Sequence, residues 1–163
     1  MSVRDSHMAY EQLLAGNINT TKAGLAINAA SAPTIKTAAA LSFTIGGIFY
    51  AKAALAAQAL VSPPEALAYG VQPVNSTAYY LVSVDNAGNV YTTQGHWAGR
   101  LIPQTIAVGD GTIPEAPASR TPVGYIKVVT NGATTFTPGV TALDAAGLTV
   151  TFADIMVNPG GQP

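Results

Sequence analysis

The sequence predicts a mainly β domain, an antiparallel β-sandwich or jelly-roll-like fold preceded by an extended N-terminal arm. Three observations carry that expectation. Within Tyr79 to Gln94, two runs rich in Tyr, Val and Thr flank Asp85-Asn86-Ala87-Gly88, a cluster that tolerates left-handed backbone and bonds its own turn, which reads as a β-hairpin. A second branched run, Gly124 to Val129, leads into Asn131-Gly132, a strong short-range hairpin signal. Further short alternating runs are separated by Gly, Pro and Asn, the texture of an all-β domain.

Taken in order, residues 1–37 show no convincing strand pattern. Tyr10, Leu13 and Leu14 have helical spacing, with Asp5 or Ser6 as a cap and Gly16-Asn17 as the end. The rest of that stretch is small, polar and broken by Gly24 and Pro33, more like an arm than a core element. Leu41, Phe43 and Ile45 then alternate with Ser42 and Thr44 before Gly46-Gly47 and Ile48-Phe49-Tyr50, a strand pair with a two-residue turn. Lys52 to Val61 is rich in helix formers and predicts a helical turn or two, ended by Ser62-Pro63-Pro64 because proline disfavours helix in the residue before it. Glu65 to Ser76 reads as loop.

In the Tyr79 hairpin, alternation puts Tyr80, Val82 and Val84 on one face and Tyr79, Leu81 and Ser83 on the other. At least one face needs a cover, expected from the Tyr125 to Val129 strand or a neighbouring subunit. A long connection rich in Pro and Gly follows Gly95, with Ile102 to Val108 as one short strand and Gly109-Asp110-Gly111 as a turn; irregular connections of this length are usually functional or disordered. Asn131-Gly132 should fold Thr134 to Phe136 back on Gly124 to Val129. Leu148 to Phe152 makes a final strand by its alternation. The expected division is an arm of 1–37, a β domain of 38–158 and a flexible tail of 159–163.

The composition narrows function. Seven Lys and Arg stand against eight Asp and Glu, a net charge of -1 with no block of either sign, so no electrostatic footprint for nucleic acid is visible. Cysteine is absent, which removes disulfides, thiolate metal sites and a cysteine nucleophile. Only 9% of residues are charged, against roughly 25% in an average soluble domain. A free monomer needs charge for solubility and to guard its sheet edges, so the expectation is a chain covered by other subunits. The most apolar region, Ala38 to Val61, is interrupted by Lys52 and Gly46-Gly47 and falls short of the roughly 18 to 20 residues of a spanning helix. The first residues lack the apolar core of a signal peptide. A soluble protein made in the cytoplasm is expected.

Chemistry is hard to find. His7 and His96 form no metal-ligating pair, and His96, beside Trp97, has no positioned partner for acid-base work. Asp85 to Asn89 lacks the glycine and the bidentate glutamate of a calcium loop. Gly109-Asp110-Gly111-Thr112 has no following lysine to make a phosphate loop. No GxSxG elbow frames a serine nucleophile, and no acidic pair sits in an aromatic cluster that would suggest a sugar cleft. The expectation is no enzyme, with no catalytic, cofactor or metal residue to nominate.

The runs YYLVSVDNAGNVYTTQG and IPEAPASRTPVGYIKVVTNGATTFTPGVTALDAAGLTVTFAD, with the earlier LSFTIGGIFYAKAA, resemble small structural proteins of tailed bacteriophages. The similarity lies in an Asp-x-x-Gly-Asn-Val hairpin, a Pro-Val-Gly turn and an Ile-Lys-Val-Val strand. The resemblance implies a virion component, most naturally a head decoration or cement protein on the outer capsid surface. Its partners would be the major capsid protein and itself, as a homotrimer or a dimer, with neither nucleic acid nor membrane. Such a protein gains avidity from several weak contacts at once. A tail or fibre component that binds host glycan is the alternative, and a glycan-active enzyme on a β scaffold a more distant one.

Overall fold

The computed structural model describes residues 16–65, 69–99 and 111–156. The fold is mainly β, with no helix among the described residues. Among the described residues ten strands run in the order β1 Leu25–Ile27, β2 Thr34–Thr37, β3 Leu41–Ile45, β4 Ile48–Lys52, β5 Gln58–Ala59, β6 Ser76–Asp85, β7 Val90–Gln94, β8 Ala98–Gly99, β9 Arg120–Thr130 and β10 Leu148–Asp154. They form three antiparallel sheets. The largest has the order β10-β9-β6-β7, with β8 also on β6, while β1-β2-β5 and β3-β4 make the smaller two.

The Tyr79 hairpin forms as its sequence predicts, with Val84 opposite Val90 and Tyr80 opposite Gln94. Asp85 closes its turn by accepting from the backbone N–H groups of Ala87 and Asn89 and from the Asn89 side chain. Tyr80, Val82 and Val84 are fully buried in the core. The cover for this face differs from the expectation. Strand β9 lies edge to edge with β6, from Thr77↔Val129 to Asp85↔Arg120, on the side that β7 leaves free, so it extends the sheet and does not stack on its face. Across the core, side chains from the two small sheets close the face: Leu25 and Ile35 from β1 and β2, and Leu41 and Phe43 from β3. Fully burying each such side chain contributes about 1.5 to 3 kcal/mol. The opposite face is covered too, since Leu81 and Ser83 are buried and Tyr79 packs edge-on against Tyr125 at 5.5 Å. There Gly111 lies against the Tyr79 ring, and Pro114 and the Thr112 carbonyl lie against Gly95.

Three other expectations are corrected. The described part of the predicted arm belongs to the packed body, because Ala23, Leu25 and Ile35 enter the core and Leu25 N–H donates to Asp154 Oδ1 at 3.0 Å. A strand of three or four residues shows too little alternation to be read from sequence. Lys52 to Val61 is not helical: Leu55 and Leu60 point into the core and Gln58-Ala59 pairs with β2, so tertiary burial overrides helix propensity. Asn131-Gly132 does not make a tight hairpin, since β9 pairs instead with β10. The intervening chain carries Phe136 into a bridge with Gln72 and an edge-on contact with Tyr80 at 5.5 Å. The predicted N-terminal helix, the Ile102 to Val108 strand and the C-terminal tail lie outside the described residues.

Buried polar groups join the parts. Gln72, fully buried, donates to the carbonyls of Ser76 and Val128 and accepts from Tyr80 Oη at 2.9 Å. Burial raises the Tyr80 hydroxyl pKa well above its ordinary value, so it stays a donor to Gln72 at any physiological pH. Thr121 Oγ1 donates to Thr44 O at 2.5 Å and ties β9 to β3. Asn17 donates to Ala118 O and Arg120 O and accepts from Gly46 N–H, strapping the β3–β4 turn to the start of β9.

Candidate functional site

The residues with chemical potential in the sequence do not converge. His96 is exposed beside half-exposed Trp97, whose ring lies against Gly70. Asp85 serves its turn. Burial opposes its ionisation, but the bonds from Asn89 and Ala87 and the charge of Arg120 outweigh that and hold the carboxyl below its ordinary range. Gly109 and Asp110 lie outside the described residues, and His7 does as well. Among the described residues no three His, Asp or Glu side chains gather as a metal site needs.

A cluster the sequence did not suggest surrounds Arg120. Its guanidinium is buried, pairs with Glu65 and stacks over the Tyr91 ring at 4.3 Å, while Nη1 has no hydrogen-bond partner. Glu65 is held below its ordinary pKa, first by its own backbone N–H and then by Arg120. An open cleft of about 290 Å³ lies here, walled by Pro63, Glu65, Thr93, Glu115 and Pro117 around the arginine. An ionised, paired glutamate is a poor proton donor at neutral pH. The arrangement functions as a lock between β9 and the chain before β6, and the only sequence signal for it was a lone arginine in a chain of few charges.

The feature left without an internal use is apolar surface at one sheet edge. Strand β4 follows Gly46 and Gly47, both at positive φ, which glycine adopts without strain and a two-residue hairpin turn requires. Behind the turn, Phe43 stacks on Tyr50 at 5.7 Å and anchors the hairpin to the core. In front of it Ile48 and Phe49 are 61% and 66% exposed. Val140 at 74% and Trp97 at 41% are further large apolar side chains outside the core. A surface with this character is suited to contact with other protein, since exposed apolar groups gain free energy when another surface excludes water from them.

Comparison of the chain with protein-family models, with curated proteins and with solved structures finds no match.

Proposed function

We propose that this chain is a structural component of a tailed-bacteriophage virion, a decoration or cement protein that binds the outer surface of the head and clamps neighbouring major capsid subunits. It acts as a homo-oligomer and without catalysis. The observation that carries this reading is the exposure of Ile48, Phe49, Trp97 and Val140 on a chain with 9% charged residues. Such a surface is costly for a free monomer and useful for one held between subunits. The resemblance of the hairpin and strand runs to phage structural proteins supplies the setting. On this reading the domain is a sandwich, with the five-stranded sheet as one layer and the two smaller sheets as the other.

The exposed ring of Trp97 favours one second reading, a tail or fibre protein that stacks host glycan on it. Co-sedimentation with purified, undecorated phage heads separates the two. Saturable binding at a fixed ratio to capsid subunits is the expected result. Failure to bind heads, or binding to cell-surface glycan alone, overturns the capsid reading.

A further inference from the structure

We propose that β4 is a self-pairing edge: two copies of the chain join antiparallel through Ile48–Lys52 about a twofold axis at Tyr50. This deepens the homo-oligomer part of the reading above, and it names the interface. The geometry follows from the direction of backbone groups. On β3, Ser42 O accepts from Thr20 N–H and Thr44 N–H donates to Ile18 O, so Ser42 and Thr44 turn their backbone away from β4. The bonds to β4 therefore come from Leu41, Phe43 and Ile45, whose partners are Lys52, Tyr50 and Ile48. Backbone groups alternate in direction along a strand. Phe49 and Ala51 thus aim their N–H and C=O groups outward, where among the described residues they meet no partner.

Two outward-facing residues separated by one position define a register. In a twofold antiparallel pair centred on Tyr50, Phe49 lies opposite Ala51 of the second copy, and Ala51 opposite its Phe49. Both pairs are of the hydrogen-bonded kind, so all four outward N–H groups and carbonyls per pair of strands are satisfied at once. Shifting the axis to Phe49 or Ala51 satisfies fewer. Side-chain size agrees, because the large exposed Phe49 meets the small exposed Ala51 on the same face. The two Lys52 side chains fall at opposite ends, so like charges do not meet at the axis. The product is a continuous sheet β3-β4-β4-β3 across two copies.

Two other edges are each tied to neighbouring chain at one point. Val61 O accepts from Thr92 N–H on β7, and Asp154 at the end of β10 bonds the start of β1. The exposed side chains of β10 are threonines, Thr149 and Thr151. Strand β4 carries none of the usual guards of an edge: it has no proline or bulge, and its one charge is at its last residue. Five residues a side is far below the roughly 20 to 30 of a standard interface. The contact is therefore weak in solution and strengthened when copies are held side by side on a lattice.

Two measurements on the full chain test this. Sedimentation velocity across a micromolar to millimolar series should show the mass rise from one chain toward two. Ala51→Pro removes an N–H that the β3 ladder does not use, and should weaken self-association by about tenfold or more while thermal unfolding stays cooperative; Phe49→Lys, on an exposed side chain, should do the same. The chain has no cysteine, so cross-linking is clean. Mixed Phe49→Cys and Ala51→Cys proteins should form a heterodisulfide on mild oxidation, the Cα atoms of opposed residues being about 5.5 Å apart. Each variant alone should not, since its own copies stand roughly 8 Å apart on the diagonal. A monomer throughout the series overturns the proposal, as does a homodisulfide that forms as fast as the mixed one. A monomer that still decorates heads, and loses this with Ala51→Pro, overturns self-pairing in favour of a capsid strand on the same edge and leaves the capsid reading intact.

Discussion

Replacing Gln72 by methionine keeps the side chain's length and roughly its volume, and removes its hydrogen bonding. Three bonds disappear: those to Ser76 O at 3.2 Å, to Val128 O at 3.0 Å and from Tyr80 Oη at 2.9 Å. Each net bond is worth about 1 kcal/mol, and a buried donor left without an acceptor costs about 1 to 3 kcal/mol. Ser76 O retains Thr130 Oγ1 as a donor. Gln94 Nε2 can only donate to Tyr80 Oη, so the tyrosine O–H is orphaned. The expected loss is about 3 kcal/mol, within a range of roughly 2 to 5. Tyr80→Phe removes the bond it donates to Gln72 and the longer one it accepts from Gln94 Nε2, and should cost about 1 to 3 kcal/mol. If both act through the bond between them, the double variant is less destabilised than the sum by about 1 kcal/mol. Urea unfolding followed by tyrosine and tryptophan fluorescence gives these values, provided the slope with denaturant is unchanged. Gln72→Met within 0.5 kcal/mol of the parent, or strict additivity with Tyr80→Phe, refutes the role assigned to the network.

Gly124 sits within β9, where an added Cβ would stand 2.5 Å from the Ala153 carbonyl oxygen and 3.1 Å from Leu25 Cδ2. A backbone carbonyl in a ladder cannot move aside, so Gly124→Ala should destabilise by about 1 to 3 kcal/mol. Calorimetry would show this as a fall in Tm of roughly 2 to 12 °C. Gly132→Ala, whose nearest neighbour is an Asn75 side-chain oxygen at 3.4 Å, should change Tm much less. Asp85 has a folded pKa below its ordinary 3.8, so its contribution is present above the unfolded value and lost as pH falls through the folded one. Stability should therefore drop below about pH 4, and Asp85→Asn should flatten that limb of a pH series of thermal melts; an unchanged acid limb would refute the assignment.

The parts legible in the sequence were those whose information is local. Asp85-Asn86-Ala87-Gly88 and Gly46-Gly47 dictate their turns through positive φ and side-chain bonding within a few residues, so both hairpins appear where the sequence puts them. The alternation separates Tyr80, Val82 and Val84 from Tyr79, Leu81 and Ser83, but only the fold shows that Leu81 and Ser83 are buried as well as the first set. The candidate surface was legible in part: Ile48 and Phe49 read as strand residues, while nothing in the sequence says that their strand is an edge.

The sequence alone determined a β-rich chain of little charge, with its turns and one buried face in place, because turn chemistry and strand periodicity act over a few residues. Partners across the sheet were decided only by tertiary structure. Asn131-Gly132 is compatible with a tight hairpin, yet β9 gains more contact from the seven paired residues of β10. Lys52 to Val61 favours helix locally, but burying Leu55 and Leu60 holds it extended. Arg120 found Glu65 and Tyr91 through packing over long sequence separation, and the free groups of Phe49 and Ala51 follow from which neighbours β3 already has. Those choices depend on the global balance of buried area and satisfied backbone groups, which no short window of residues contains.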